Sequence, residues 1–233
     1  MRKPPHNPRD LSRLDLDDIL GTIDQEARQR FGQGKVADYI PSLAEVPRDR
    51  FGMALALLDG GVREVGDSRE RFSIQSVSKV HTLTLALQAV GDELWQRVDR
   101  EPSGDPFNSL IQLELEKGIP RNPFMNAGAI VVADVLLSSY EDAESTLLEF
   151  VRARSGNPEV GKDEALASSE RESGYRNVAL ANFIRSYETC ATRRRTSWIS
   201  TICSVRCAWT ASTWRAARST SPMPGAAEAR GNR

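Results

Sequence analysis

Amino-acid usage changes abruptly near residue 188, and this limits how much of the chain can build one core. From Glu188 onward there is no Leu, Lys, Phe or Tyr, while all three Cys (Cys190, Cys203, Cys207) and three of the four Trp (Trp198, Trp209, Trp214) fall in that stretch. Arg, Ser, Thr and Ala dominate it instead. A core without Leu or Phe is hard to pack. Residues 15–187 are therefore expected to form the folded domain, 1–14 a mobile Pro-rich lead-in, and 188–233 a disordered tail. The 233 residues suffice for one large domain or two small ones.

Charge and hydropathy exclude several classes of function. Lys and Arg number 31 against 32 Asp and Glu, so neither a nucleic acid nor a membrane surface is expected as a partner. No apolar run is long enough to span a bilayer. The opening Met1-Arg-Lys-Pro-Pro-His-Asn-Pro has no apolar stretch behind it, as a secretory signal would, so the chain reads as soluble and cytoplasmic. His6 and His81 lack companions for a metal site, and Cys203-x-x-x-Cys207 lacks a second pair. No metal or cofactor is expected. Arg193-Arg194-Arg195 is too short a basic run to argue for nucleic acid.

Periodicity outlines the elements. Leu16, Ile19, Leu20, Ile23, Ala27 and Phe31 follow helical spacing, with Asp15, Asp17 and Asp18 in the first turn and Gly32-Gln-Gly34 after the last. Residues 35–47 read as loop. Phe51 to Leu58 and Val62 to Val65 flank Asp59-Gly60-Gly61 as a hairpin. An apolar helix is expected from Ser76 to Val98, and loop over 101–108. Asn126 to Ser139 reads as a buried helix and Ser145 to Arg154 as an amphipathic one. Glu170 to Ser186 reads as loop into helix, with Val178, Leu180 and Phe183 inward. Helices around an antiparallel hairpin make an α+β layered domain.

Ser76-Val77-Ser78-Lys79 is an S-x-x-K pattern placed after an expected strand and at the opening of a helix. Residues i and i+3 share a helix face, so the Lys79 amine can approach the Ser76 hydroxyl. The free N–H groups and positive dipole of a helix N-terminus favour developing negative charge. A hydroxyl becomes a good nucleophile when a base takes its proton, and a buried lysine amine can be that base. The pattern recurs in serine β-lactamases and penicillin-binding proteins. Four letters match about once by chance in a chain this long, so the neighbouring residues decide.

Four blocks resemble the serine-dependent, β-lactamase-like glutaminase family in order and spacing. They are Val36-Ala-Asp-Tyr-Ile-Pro-Ser-Leu-Ala44, Phe72-Ser-Ile-Gln-Ser-Val-Ser-Lys79, Arg121-Asn-Pro-Phe-Met-Asn-Ala-Gly-Ala-Ile130, and Ser169-Glu170 with Arg176-Asn177. The resemblance runs from about residue 15 to 187 and implies a β-lactamase/transpeptidase-like fold, incomplete at its C-terminus. It implies hydrolysis of the L-glutamine side-chain amide, with Ser76 as nucleophile and Lys79 as base. Ser76, Tyr39, Asn126, Glu170 and Asn177 match substrate-holding positions. Glu170 suits an ammonium, and amide and phenol donors suit carboxylate and carboxamide oxygens. Glutaminases of this family commonly form homo-oligomers. Read without the family, Asn126 fits a helix N-cap, Glu170 a surface carboxylate and Tyr39 a loop-packing residue.

The resemblance stops near residue 188. The family's later tyrosines and its Lys-Ser-Gly strand have no counterpart here, and 188–233 reads as the product of a shifted frame. Back-translated with GC-rich codons, Thr210 to Pro224 re-reads in another frame as a sequence similar to the family's helix at that point. A domain without those strands has an open sheet edge and an uncovered face on the Ser76 helix, which would leave this copy inactive. Two other readings stand beside glutaminase: a different S-x-x-K acyl hydrolase, and a non-catalytic truncated paralogue that binds an intact glutaminase.

Overall fold

The computed structural model describes residues 14–57 and 59–190, together with the backbone of Ala208 and Trp209. Apart from 188–190 and that dipeptide, the expectations for 188–233 fall outside the described residues, as does the lead-in before Leu14. Helix α1 (Leu16–Arg28) starts where its aspartates direct: the Asp15 carboxylate caps it by accepting the Asp18 N–H at 3.0 Å. It lies against a hairpin of β1 (Gly52–Ala56) and β2 (Val62–Gly66), paired antiparallel from Gly52↔Gly66 to Ala56↔Val62. Leu20 is its buried residue. The hairpin turn closes with Gly60 at φ 90° and the Asp59 carboxylate accepting the Gly61 N–H at 2.8 Å. A second two-stranded pairing joins β3 (Phe72–Ser73) to β4 (Ala208–Trp209), antiparallel through Phe72↔Trp209 and Ser73↔Ala208.

The core is built around α5 (Asn126–Ser139), whose residues from Ala127 to Leu136 are all buried. A helix apolar on every side has no solvent face, so neighbours pack on it all round. Those neighbours are α3 (Ser78–Val90), α6 (Ala143–Ser155) and α8 (Tyr175–Ser186). Asp134 is the exception to the apolar run. It is buried and ion-paired with Arg97, whose Nε donates to the Thr189 carbonyl at 2.8 Å. Cys190 packs half-buried against the same core, and burial, then the charge of Asp134, pushes its thiol up to about 12. Thr189 and Cys190 thus both meet the core.

Several expected boundaries are corrected. The single helix anticipated from Ser76 to Val98 is three pieces: a 3-10 turn at Gln75–Val77, then α3, then a 3-10 stretch at Gly91–Gln96. Gly91 at φ 56° ends α3, a conformation glycine takes without steric cost. The redirected chain buries Leu94 and Val98 completely. The segment expected as loop over 35–47 contains the short α2 (Pro41–Ala44), and α4 (Leu110–Leu115), capped by Ser109, was not anticipated. Glu170 lies in a helix, α7 (Glu164–Ser173), rather than in a loop. On α8 the inward residues are Leu180, Ala181 and Ile184, while Val178 is 42% exposed. Turning Val178 inward would turn that stripe outward, at a loss of about 1.5–3 kcal/mol for each large aliphatic exposed. No described helix is long and apolar enough to cross a membrane.

Candidate active site

Ser76 sits on the short turn between β3 and α3, and the turn is built with some strain. Gln75 has φ 46°, the left-handed region that non-glycine residues enter at a cost of about 1–2 kcal/mol. Three interactions hold it there. Ile74, beside it, is buried in the core; the Ser78 hydroxyl donates to the Gln75 carbonyl at 2.7 Å; and the Gln75 side-chain amide donates to Ser73 Oγ at 3.1 Å. The result exposes Ser76 while Ser78 and Lys79 turn inward and are buried.

Lys79, the second residue of α3, reaches across to the start of α5. Its Nζ donates to the Phe124 carbonyl at 2.8 Å and to Asn126 Oδ1 at 2.9 Å. Asn126 Nδ2 in turn donates to Asn177 Oδ1 at 2.9 Å. A lysine, two amides and a backbone carbonyl from α3, α5, α8 and the loop before α5 therefore form one chain of hydrogen bonds. Such networks orient each member through the next. Asn126 is the first residue of α5 and Met125 precedes it as a cap without a side-chain bond, so the Asn126 amide is spent on Lys79 and Asn177 rather than on capping.

A cavity of ≈ 390 Å³ opens at this chain of bonds. Tyr39, Ser76, Lys79, Asn126, Glu170 and Asn177 all line it. Tyr39 enters from the 35–40 segment, which Ile40 anchors by burial and which is tied to α7 through the Ser42 N–H donating to Ser169 Oγ at 3.4 Å. Glu170, half-buried near the end of α7, and Asn177, in the first turn of α8, face the same space across Gly174. A side chain at Gly174 would bring its Cβ to 2.7 Å from the Glu170 carbonyl of the last turn of α7, so the tight link from α7 into α8 favours glycine.

Further lining residues were not singled out from sequence: Gln75, Phe107, Asn108 and Ser173, with Arg176. Phe107 and Asn108 belong to a loop whose backbone is tied to α5 by the Asn126 N–H donating to the Phe107 carbonyl at 2.9 Å. Nothing local in a Pro- and Asn-rich stretch signals that contact. Arg176 could have been found, since it adjoins Asn177 within a block already marked.

A mixed helical and antiparallel layer with S-x-x-K on the turn entering its central helix pair defines the β-lactamase-like class of fold. Comparison with known proteins narrows this. The sequence profile of the Glutaminase family matches residues 34–218. That range extends past residue 187. Glutaminase from Christiangramia forsetii is 53% identical over 173 residues, 74% of this chain and 57% of its own length. Glutaminase from Streptomyces coelicolor is 57% identical over 169 residues, 72% of this chain and 55% of its own. Among solved structures, a probable glutaminase superposes with a TM-score of 0.71 at 32% identity, covering 83% of this chain and 62% of that one. Mglu in its tris and glutamate form gives 0.76 at 30% identity, covering 86% and 45%. The chain belongs to the glutaminase family. It spans 57% or less of the length of these two curated relatives.

Proposed function

We propose that this chain carries the catalytic half-site of a glutaminase, built for hydrolysis of L-glutamine to L-glutamate and ammonia, in a copy whose turnover the departing C-terminal sequence lowers or abolishes. Ser76 Oγ attacks the side-chain carbonyl carbon as Lys79 takes its proton. The tetrahedral intermediate then collapses, the C–N bond breaks, and the nitrogen leaves as ammonia with the proton Lys79 returns. Water hydrolyses the γ-glutamyl ester by the same route and frees glutamate. The Ser76 N–H, at the start of the turn into α3, contributes to holding the oxyanion. Glu170 pairs with the substrate ammonium, and Tyr39, Asn126 and Asn177 receive its polar oxygens. The cavity's size suits one small amino acid.

The observation that carries this reading is the hydrogen-bonded chain Lys79–Asn126–Asn177 beside exposed Ser76 in a single cavity. It accounts for the amide residues as well as for the S-x-x-K pair, and an N-capping role for Asn126 would not. Function in the cytoplasm and as a homo-oligomer belong to the same proposal.

The test is ammonia release from L-glutamine by the purified chain beside Ser76→Ala. Turnover that the substitution lowers by at least about a thousandfold supports the assignment. Covalent labelling of Ser76 by a β-lactam, with no ammonia from glutamine, would replace it with another acyl hydrolase. Absence of both, together with retention of an intact glutaminase on the immobilised chain, would favour the non-catalytic paralogue.

A further inference from the structure

We propose that Asn122 is a positioning residue for Lys79, acting through the Phe124 carbonyl. The proposal rests on the reading of Lys79 as the proton carrier and extends it to a residue that does not line the cavity. Lys79 has a backbone acceptor, Phe124 O at 2.8 Å, in an irregular segment. A loop carbonyl is a reliable partner only if something fixes the plane of its peptide.

Asn122 does so from the position two residues before. Its Oδ1 accepts the N–H groups of Phe124 at 3.0 Å and Met125 at 3.2 Å, turning the chain tightly over residues 122–125. Its Nδ2 donates to the Glu101 carbonyl at 2.9 Å, anchoring the turn to the preceding loop. Backbone bonds from Asp99 N–H to the Pro120 carbonyl (2.8 Å) and from Glu101 N–H to the Arg121 carbonyl (3.0 Å) deliver the chain to this point. On the far side, the Asn126 N–H is held by Phe107. Between those two anchors, the Asn122 amide makes the side-chain hydrogen bonds that set the peptide orientations.

The turn is also pressed onto α5. A Cβ at Gly128 would lie 2.0 Å from the Asn122 carbonyl oxygen and 2.8 Å from Pro123 Cα. Asn122, Pro123 and Gly128 thus form one device: glycine admits the turn, proline stiffens it, and the asparagine amide aims the Phe124 carbonyl at the lysine. An aspartate at 122 would keep the acceptor for the two N–H groups and lose the donor to Glu101. An alanine would lose both.

The full chain has five lysines, so the Lys79 ε-carbon is a separable NMR signal when lysine is ¹³C-labelled, assigned by its loss in Lys79→Arg. The expected result for Asn122→Ala is that the Lys79 resonance moves further than any other lysine's, with Asn122→Asp returning it most of the way. A folded Asn122→Ala whose Lys79 signal stays put, or an Asn122→Asp displaced as far as the alanine variant, would overturn the proposal. Asn122→Ser, with a shorter acceptor, gives a smaller displacement in the same direction, and provides the decision if the alanine variant does not fold. This readout needs no turnover, so its failure is distinct from failure of glutamine hydrolysis. Where turnover is measured, Asn122→Ala lowers kcat about tenfold at nearly constant KM, the cost of about one charge-assisted hydrogen bond. A raised KM at unchanged kcat would contradict the role.

Discussion

Two glycines in helices, Gly21 of α1 and Gly128 of α5, should respond to alanine in opposite directions. In both, alanine gains about 1 kcal/mol of intrinsic helix preference. At Gly21 an added Cβ meets nothing within 4 Å, so that gain should appear as stability. At Gly128 the added Cβ falls 2.0 Å from the Asn122 oxygen, 2.7 Å from its carbonyl carbon and 2.8 Å from Pro123 Cα, where real contacts stay beyond 3.0 Å. The turn must withdraw by at least the difference, 3.0 − 2.0 = 1.0 Å. All three obstructing atoms are backbone, so no rotamer change relieves them. Overpacking of this kind costs about 3 kcal/mol at the upper end of its usual range, leaving a net loss of about 2 kcal/mol after the helix gain. Urea unfolding followed by far-ultraviolet circular dichroism reads both: the midpoint of Gly128→Ala falls by roughly 1 M and that of Gly21→Ala rises by a few tenths. If Gly128→Ala is as stable as Gly21→Ala, the turn yields freely and the steric reasoning is wrong.

Two further outcomes follow from buried groups. Arg97→Ala takes the cation from buried Asp134 and the anchor from the Thr189 carbonyl, so unfolding free energy should drop by about 3 kcal/mol or more, whereas Arg97→Met with Asp134→Leu should recover most of it. A single-variant loss below about 1 kcal/mol would show that the pair is incidental. Burial lowers the pKa of His81, which stacks edge-on to Phe150 at 6.2 Å. The unfolded chain then binds its proton first, so the contribution of His81 is present above about pH 6.5 and is lost as pH falls from there through the lower folded value. Urea midpoints measured between about pH 7.5 and 5.5 should decline less in His81→Gln than in the parent; parallel declines would refute the assignment.

Long periodic elements were readable because their patterns are local. The α5 boundaries at Asn126 and Ser139 follow from a run of small and apolar residues interrupted only by Asp134, and α1 from its aspartate cap and i, i+3, i+4 spacing. The six marked site residues came from motif blocks, and in the fold they line one cavity although residue numbers 39 and 177 are far apart. What stayed hidden depends on contacts between segments. Glu170 looked like loop because α7 buries only Leu166 and Ala167, too sparse a stripe to read as a helix. The break at Gly91 was missed because Asp92 to Val98 remains apolar enough to continue a helical pattern. The Arg97–Asp134 pair joins residues 37 apart, and no local spacing announces a charge meant for the inside.

The chain of bonds from Lys79 through Asn126 to Asn177 spans separations of 47 and then 51 residues. During synthesis at about 5–20 residues per second, Asn177 is added roughly 5–20 s after Lys79. Throughout that interval Ser76 and Lys79 exist while the amide that completes their surroundings does not. Helix α8 must then find α5 before Asn126 has both of its partners. Assembly of the cavity is therefore a late event in the life of each molecule, and an early intermediate carries Ser76 and Lys79 without the bonded neighbours that order them in the finished fold.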